Sequence, residues 1–259
     1  MTYWRDTRPR RAAFRPSALF LGLVAVFAAS GALAWVGTGP VRLAVVLFVI
    51  SGWLVSLCLH EYAHALTAYK SGDFGVAQRG YLTLNPLKYS NVVLSIILPL
   101  VFLFLGGIGL PGGAVWVDHG AIRGRLRESL ISLAGPLVNL AFLLVCVDPF
   151  ALGVATVEHL VFWAALAFLA FLQLTATVLN LIPLPGLDGG NALRPWLSHD
   201  YQRFFDMVAP WGMLLLFALL LSPIVSGVFF GIVFGIGDVL GLPEFLVRDG
   251  LALFRFWRI

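Results

Sequence analysis

Residues Val41 to His64 read VRLAVVLFVISGWLVSLCLHEYAH. From Leu43 to Leu59 no residue is charged, and roughly 20 such residues suffice to cross the hydrocarbon of a bilayer. The run then ends in two histidines and a glutamate. Ionisable groups at the end of a membrane-length apolar helix are costly to place there, which makes them functional candidates by default. This one stretch therefore sets both the solvent of the fold and the place to look for chemistry.

The rest of the chain agrees about the solvent. Its 259 residues are 60% hydrophobic and 12% charged, with a mean hydropathy of +0.93, a composition that one water-soluble core could not hide. Further apolar runs lie at 17–36, 92–110, 129–147, 160–182 and 211–235. No repeat, low-complexity tract or long polar stretch separates them, so the expectation is a single membrane domain over 1–259. It is all-α, a polytopic transmembrane helix bundle of about five to six spans. Cys58 and Cys146 both fall inside apolar runs and read as buried thiols.

The positions of lysine and arginine orient the spans. Arg5, Arg8, Arg10, Arg11 and Arg15 form a basic N-terminus, 1–16, that is expected in the cytoplasm. Gly37 to Pro40 lead directly into the next run without a small-residue cleavage pattern, so the first run reads as a retained anchor. The loop at 69–91 carries Lys70, Arg79 and Lys88, and the loop at 113–128 carries Arg123, Arg125 and Arg127; both are expected to be cytoplasmic. The loop at 148–159 has no lysine or arginine and is expected outside. Two cytoplasmic loops flanking 92–112 lead to the expectation that this segment dips in and returns, with Pro99, Gly106, Gly107, Gly109 and Pro111 supplying the breaks; the alternative is an ordinary span with one basic loop on the other side. Tyr81 to Leu84 alternates as a small strand-like cytoplasmic hairpin would. Residues 210–243 exceed one span and bend at Pro223, and 244–259 read as an interfacial tail.

On a helix His60 and His64 are one turn apart, so both imidazoles project from one face and can hold one metal ion, with Glu61 beside them to carry a proton. HExxH needs a third ligand at the same depth. Asn180 to Gly190, NLIPLPGLDGG, offers Asp188 from a turn that two prolines and two glycines make rigid. Asn139 and Asn180 are intramembrane amides and candidate donors to a substrate or an oxyanion. His119, His159 and His199 have no partner at ligand spacing and read as solvated, and Gln173 reads as packing only.

HEYAH followed by NLIPLPGLDGG, with GYLTLNPLKY at Gly80 to Tyr89 and SLAGPLVN at Ser132 to Asn139, resembles the site-2 protease family of intramembrane metalloproteases across most of the catalytic core, 50–195. The resemblance implies that His60, His64 and Asp188 bind one Zn2+ per chain and that Glu61 is the catalytic base. It implies an endopeptidase of the cell membrane, multi-pass, with its site towards the cytoplasmic face. Its partners would then be the lipid bilayer and a transmembrane protein substrate, with no nucleic acid. The compact form without PDZ or CBS domains leaves regulation to a separate regulatory protein, the lipid environment or prior trimming of the substrate. The alternative class is a metal transporter or metal-holding membrane scaffold without hydrolysis, against which stands the clustering of all three candidate ligands at one depth.

Overall fold

A computed structural model of the chain describes residues 11–89, 97–106 and 115–255. The elements are helices throughout: α1 (Ala18–Val36), α2 (Val41–Ser71), α3 (Gly75–Gln78), α4 (Leu98–Gly106), α5 (Arg125–Ala151), α6 (Leu160–Leu181), α7 (Asp188–Leu193), α8 (His199–Val208), α9 (Gly212–Leu220), α10 (Pro223–Val239) and α11 (Glu244–Phe254). Among the described residues, five helices are long and apolar enough to cross a membrane: α1, α2, α5, the continuous stretch Val157–Leu181 containing α6, and the stretch His199–Leu220 containing α8 and α9. A sixth is formed if α10 and α11, bent by 117° at their junction, count as one broken span. The chain is thus the all-α polytopic bundle expected from its apolar runs.

α6 is the axis of the bundle. Phe168, Leu169 and Leu172 are fully enclosed, and α1, α2, α5 and α11 pack around them. Hydrogen bonds fix the helix directions. Asn139 of α5 bonds Ser56 of α2, and Ile131 of α5 bonds His64 of α2, so these two helices run antiparallel. Asn139 also bonds Gln173 of α6, while Asp188 just beyond α6 meets His60 and His64, so α6 runs parallel to α2. α1 begins beside the loop after α2, through the Ser17 amide and the Thr83 carbonyl, and ends where α6 begins, through His159 and the Trp35 carbonyl.

α2 therefore ends, and α5 starts, at the same end of the bundle. The flanks of the intervening chain are tied together there: the Asp118 amide donates to Asp73, and Arg79 bonds both Asp73 and the Trp116 carbonyl while stacking over the Trp116 ring. The chain between them makes no net crossing. The expected dip over 92–112 falls mostly outside the described residues, which include α4 from it.

One expectation is corrected. Tyr81 to Leu84 is not strand-like: Tyr81–Thr83 is a single 3-10 turn, and no strand occurs among the described residues. Gly80 and Leu84 both sit in the left-handed region, at φ 77° and 55°, which ends any extension after three residues. Consecutive Tyr81 and Leu82 are both buried, whereas a strand would alternate them. Within the tail at 244–259, residues 244–254 form α11, and its inner face is locked against α6 through Leu246, Val247, Gly250 and Phe254. The bend expected at Pro223 is the start of α10, where its missing N–H is harmless.

Candidate metal centre

The second half of α2 brings His60, Glu61 and His64 into the bundle, each less than a tenth exposed. Their helical spacing leaves the two Nε2 atoms 3.0 Å apart. The third group arrives from a different element. Pro183 and Pro185 lie just past α6 in the sequence, where they cannot extend it. Gly189 and Gly190 then let α7 fold back at backbone contact, since a Cβ on either would stand 2.3 Å from the Leu181 oxygen or 2.0 Å from the Leu184 oxygen. Asp188, at the first position of α7, is thereby held with Oδ2 3.2 Å from His60 Nε2 and 3.4 Å from His64 Nε2.

The hydrogens of this cluster follow from its neighbours. His64 Nδ1 lies 2.6 Å from the Ile131 carbonyl, which can only accept, so Nδ1 carries a hydrogen and, in the neutral ring, Nε2 is the lone pair. His60 Nδ1 faces Asn139 Oδ1, and the Asn139 Nδ2 donates to Ser56 Oγ at 3.1 Å and Gln173 Oε1 at 2.9 Å. The Asn139 amide is thus oriented with its oxygen towards His60, whose Nε2 is bare as well. With both rings neutral, two imidazole lone pairs and a carboxylate converge on one point, the donor set of a bound cation. Tetrahedral bonds of about 2.0–2.1 Å place ligand atoms roughly 3.3 Å apart, which is the spacing seen. One His-His-Asp cluster of this kind occurs among the described residues.

Glu61 stands beside the cluster with one carboxylate oxygen 3.9 Å from His60 Nε2. Its other oxygen, Oε2, is buried and has no hydrogen-bond partner among the described residues. A cavity of about 370 Å³ begins at Glu61, His64 and Asp188. Ser132, Asn191 and the 115–117 segment continue its wall, and His119, Glu128, Arg194 and Asp206 form its charged outer part. The Arg194 guanidinium grips Asp206 through two bonds of 2.5 and 2.6 Å, tying α8 to the chain beyond α7.

Of the residues singled out in the sequence, His60, Glu61, His64 and Asp188 come together. Asn139 and Asn180 do not line the cavity. Asn139 has its oxygen and both amide hydrogens engaged, and Asn180 is buried near the end of α6. Asn191 and Ser132 are the uncharged polar side chains that do face the cavity. Asn191 could have been anticipated, since it lies one helical turn beyond Asp188. His119, read as solvated, lines the outer cavity 3.8 Å from Glu128, and nothing in its sequence neighbours signals this.

Among known proteins, "Putative zinc metalloprotease Rip2" of Mycolicibacterium smegmatis is 47% identical over 263 residues, covering 97% of this chain and 98% of its own. The protein of that name in Mycobacterium tuberculosis H37Rv is 48% identical over 254 residues, covering 96% and 97%. "Putative zinc metalloprotease YwhC" of Bacillus subtilis is 28% identical over 191 residues, covering 69% of this chain and 82% of its own. No family model matches the chain, and no solved structure matches it significantly.

Proposed function

Since the chain belongs to the zinc metalloprotease family of its Rip2 relatives, we propose that it is a site-2-type intramembrane endopeptidase, hydrolysing peptide bonds within or beside transmembrane segments of other membrane proteins. Zn2+ is the cofactor of the family, and His60, His64 and Asp188 would hold it here. The observation that carries the reading is the placement of this cluster, with a partnerless Glu61 oxygen beside it, inside a bundle of membrane-length helices. A metalloprotease site meant for soluble substrates has no need of that burial.

Zn2+ at these ligands supplies a Lewis acid that polarises a carbonyl and acidifies a water molecule. Glu61 is the proton carrier: it lines the cavity beside the cluster, takes the proton of the attacking water and returns it to the leaving amine. His60 and His64 are kept as Nδ1–H tautomers by Asn139 and Ile131, which aims both Nε2 lone pairs at the ion. Ser132 and Asn191 offer the polar contacts to the peptide on the cavity wall. A substrate helix hides its carbonyls in its own hydrogen bonds and must unwind locally to be cut.

The site opens towards the cytoplasm on this reading. Lys70, Arg79, Lys88, Arg123, Arg125 and Arg127 all belong to the end of the bundle that holds it, while at the other end the loops at 37–40 and 152–159 carry no lysine or arginine and Arg42 stands just after the first of them. Glu61→Gln in purified protein, given a helical reporter in detergent, should lower cleavage by about 100-fold or more while zinc content stays at the wild-type level. Cleavage at the wild-type rate would sink the mechanism.

A further inference from the structure

Beneath His60, on the side away from the cavity, three buried polar side chains from three helices meet: Ser56 of α2, Asn139 of α5 and Gln173 of α6, each 5% exposed or less. Gln173 Oε1 accepts from Ser56 Oγ at 2.6 Å and from Asn139 Nδ2 at 2.9 Å, and Asn139 Nδ2 also lies 3.1 Å from Ser56 Oγ. The Gln173 Nε2 is buried without a hydrogen-bond partner among the described residues. An amide in this surrounding normally turns to satisfy its donors. Here its oxygen faces inward, where the Ser56 and Asn139 donors point.

We propose that Gln173, assisted by Ser56, is a positioning residue for the metal ligand His60, acting through Asn139. The reasoning turns on what can reverse. A serine hydroxyl donates or accepts with equal ease, so Ser56 alone would tolerate either orientation of the Asn139 amide. With its Oε1 inward, Gln173 can only accept from Asn139, which then presents Nδ2 on that side and Oδ1 to His60. If the amide turned over, its N–H would face His60 Nδ1, the ring hydrogen would move to Nε2, and that hydrogen would occupy the place of the ion. The network thus selects the metal-binding tautomer of one ligand from a residue that touches neither metal nor cavity. The inference rests on zinc binding at His60, not on the proteolytic reading.

The test is zinc affinity, measured by chelator competition on purified protein, with the visible spectrum of the Co2+-loaded protein as a second readout. Gln173→Leu removes the acceptor that orients Asn139 and should weaken zinc by about 10- to 100-fold, the range seen when an outer partner of a ligating histidine is lost. Asn139→Leu should do the same. Asn139→Asp is the conservative rescue: a carboxylate accepts from His60 Nδ1 in either orientation, and Gln173 can then turn its Nε2 to the second oxygen. Its zinc affinity should stay within about threefold of wild type, with the Co2+ spectrum unchanged. Gln173→Leu at wild-type affinity, or Asn139→Asp as weak as Asn139→Leu, would overturn the proposal. Loss of cleavage without loss of zinc in these variants would overturn it equally.

Discussion

Gly135 of α5 faces the two imidazoles so closely that a Cβ there would stand 2.2 Å from His64 Nε2 and 2.5 Å from His60 Nε2. No real side chain makes such contacts, so Gly135→Ala must push both rings off the metal position. The expected result is zinc affinity weaker by about 100-fold or more, beyond the loss for an outer-partner change, in a protein that still folds; equilibrium zinc binding checks it, and a fully loaded alanine variant would contradict the geometry. This residue marks how far the sequence reaches at the residue scale. His60, Glu61 and His64 were legible because metal chemistry demands those types at one-turn spacing, and Asp188 because two prolines and two glycines framed it. Gly135 carries no such demand in its own neighbourhood, because the rings it must clear belong to another helix. The orientation of Asn139 was not legible at all, since it depends on Ser56 and Gln173, which reach it from other helices.

At the scale of elements, hydropathy located the spanning helices, but it could not say which of the remaining segments would be enclosed. α11 shows why. Its Glu244, Phe245 and Arg248 are exposed and its sequence reads as amphipathic, as an interfacial helix would, yet Gly250 lets its backbone lie on α6, where a Cβ would meet the Ala164 oxygen at 2.1 Å and Phe168 Cβ at 2.7 Å. Phe254 beyond it is wholly enclosed and stacks at 5.5 Å on Phe104 of α4. Gly250→Ala should therefore destabilise the bundle by about 1–3 kcal/mol, the usual result of overpacking a close contact, with zinc affinity unchanged because α11 contributes no ligand. Thermal unfolding of the detergent-solubilised protein, read alongside zinc binding, separates the two effects. An unaltered unfolding temperature would mean that α11 is free of α6. The missing hairpin at Tyr81 to Leu84 has the same kind of cause: residue types allowed a strand, and two left-handed residues flanking a three-residue turn excluded it.

At the scale of the whole molecule, the decisive property is which faces meet which side of the membrane. The loop charges predicted that α2 and α6 end on one side, and the meeting of His60 and His64 with Asp188 requires it independently of any charge. What the bundle alone does not set is which side that is, and here the argument rests on the lysines and arginines gathered at the site end. The two native cysteines, Cys58 and Cys146, are buried and give little background to a thiol probe, so single introduced cysteines can report the orientation. Thr156 is exposed on the loop before α6, at the end opposite the site, and Ser198 is exposed just before α8, close to the Arg194 and Asp206 wall of the cavity. With a membrane-impermeant maleimide on intact cells, Thr156→Cys should label fully and Ser198→Cys only after the membrane is opened. The reverse pattern would place the metal centre on the outer face, where the basic loops would have had to cross against the membrane potential, each charge working against about 2.3 kcal/mol per 100 mV.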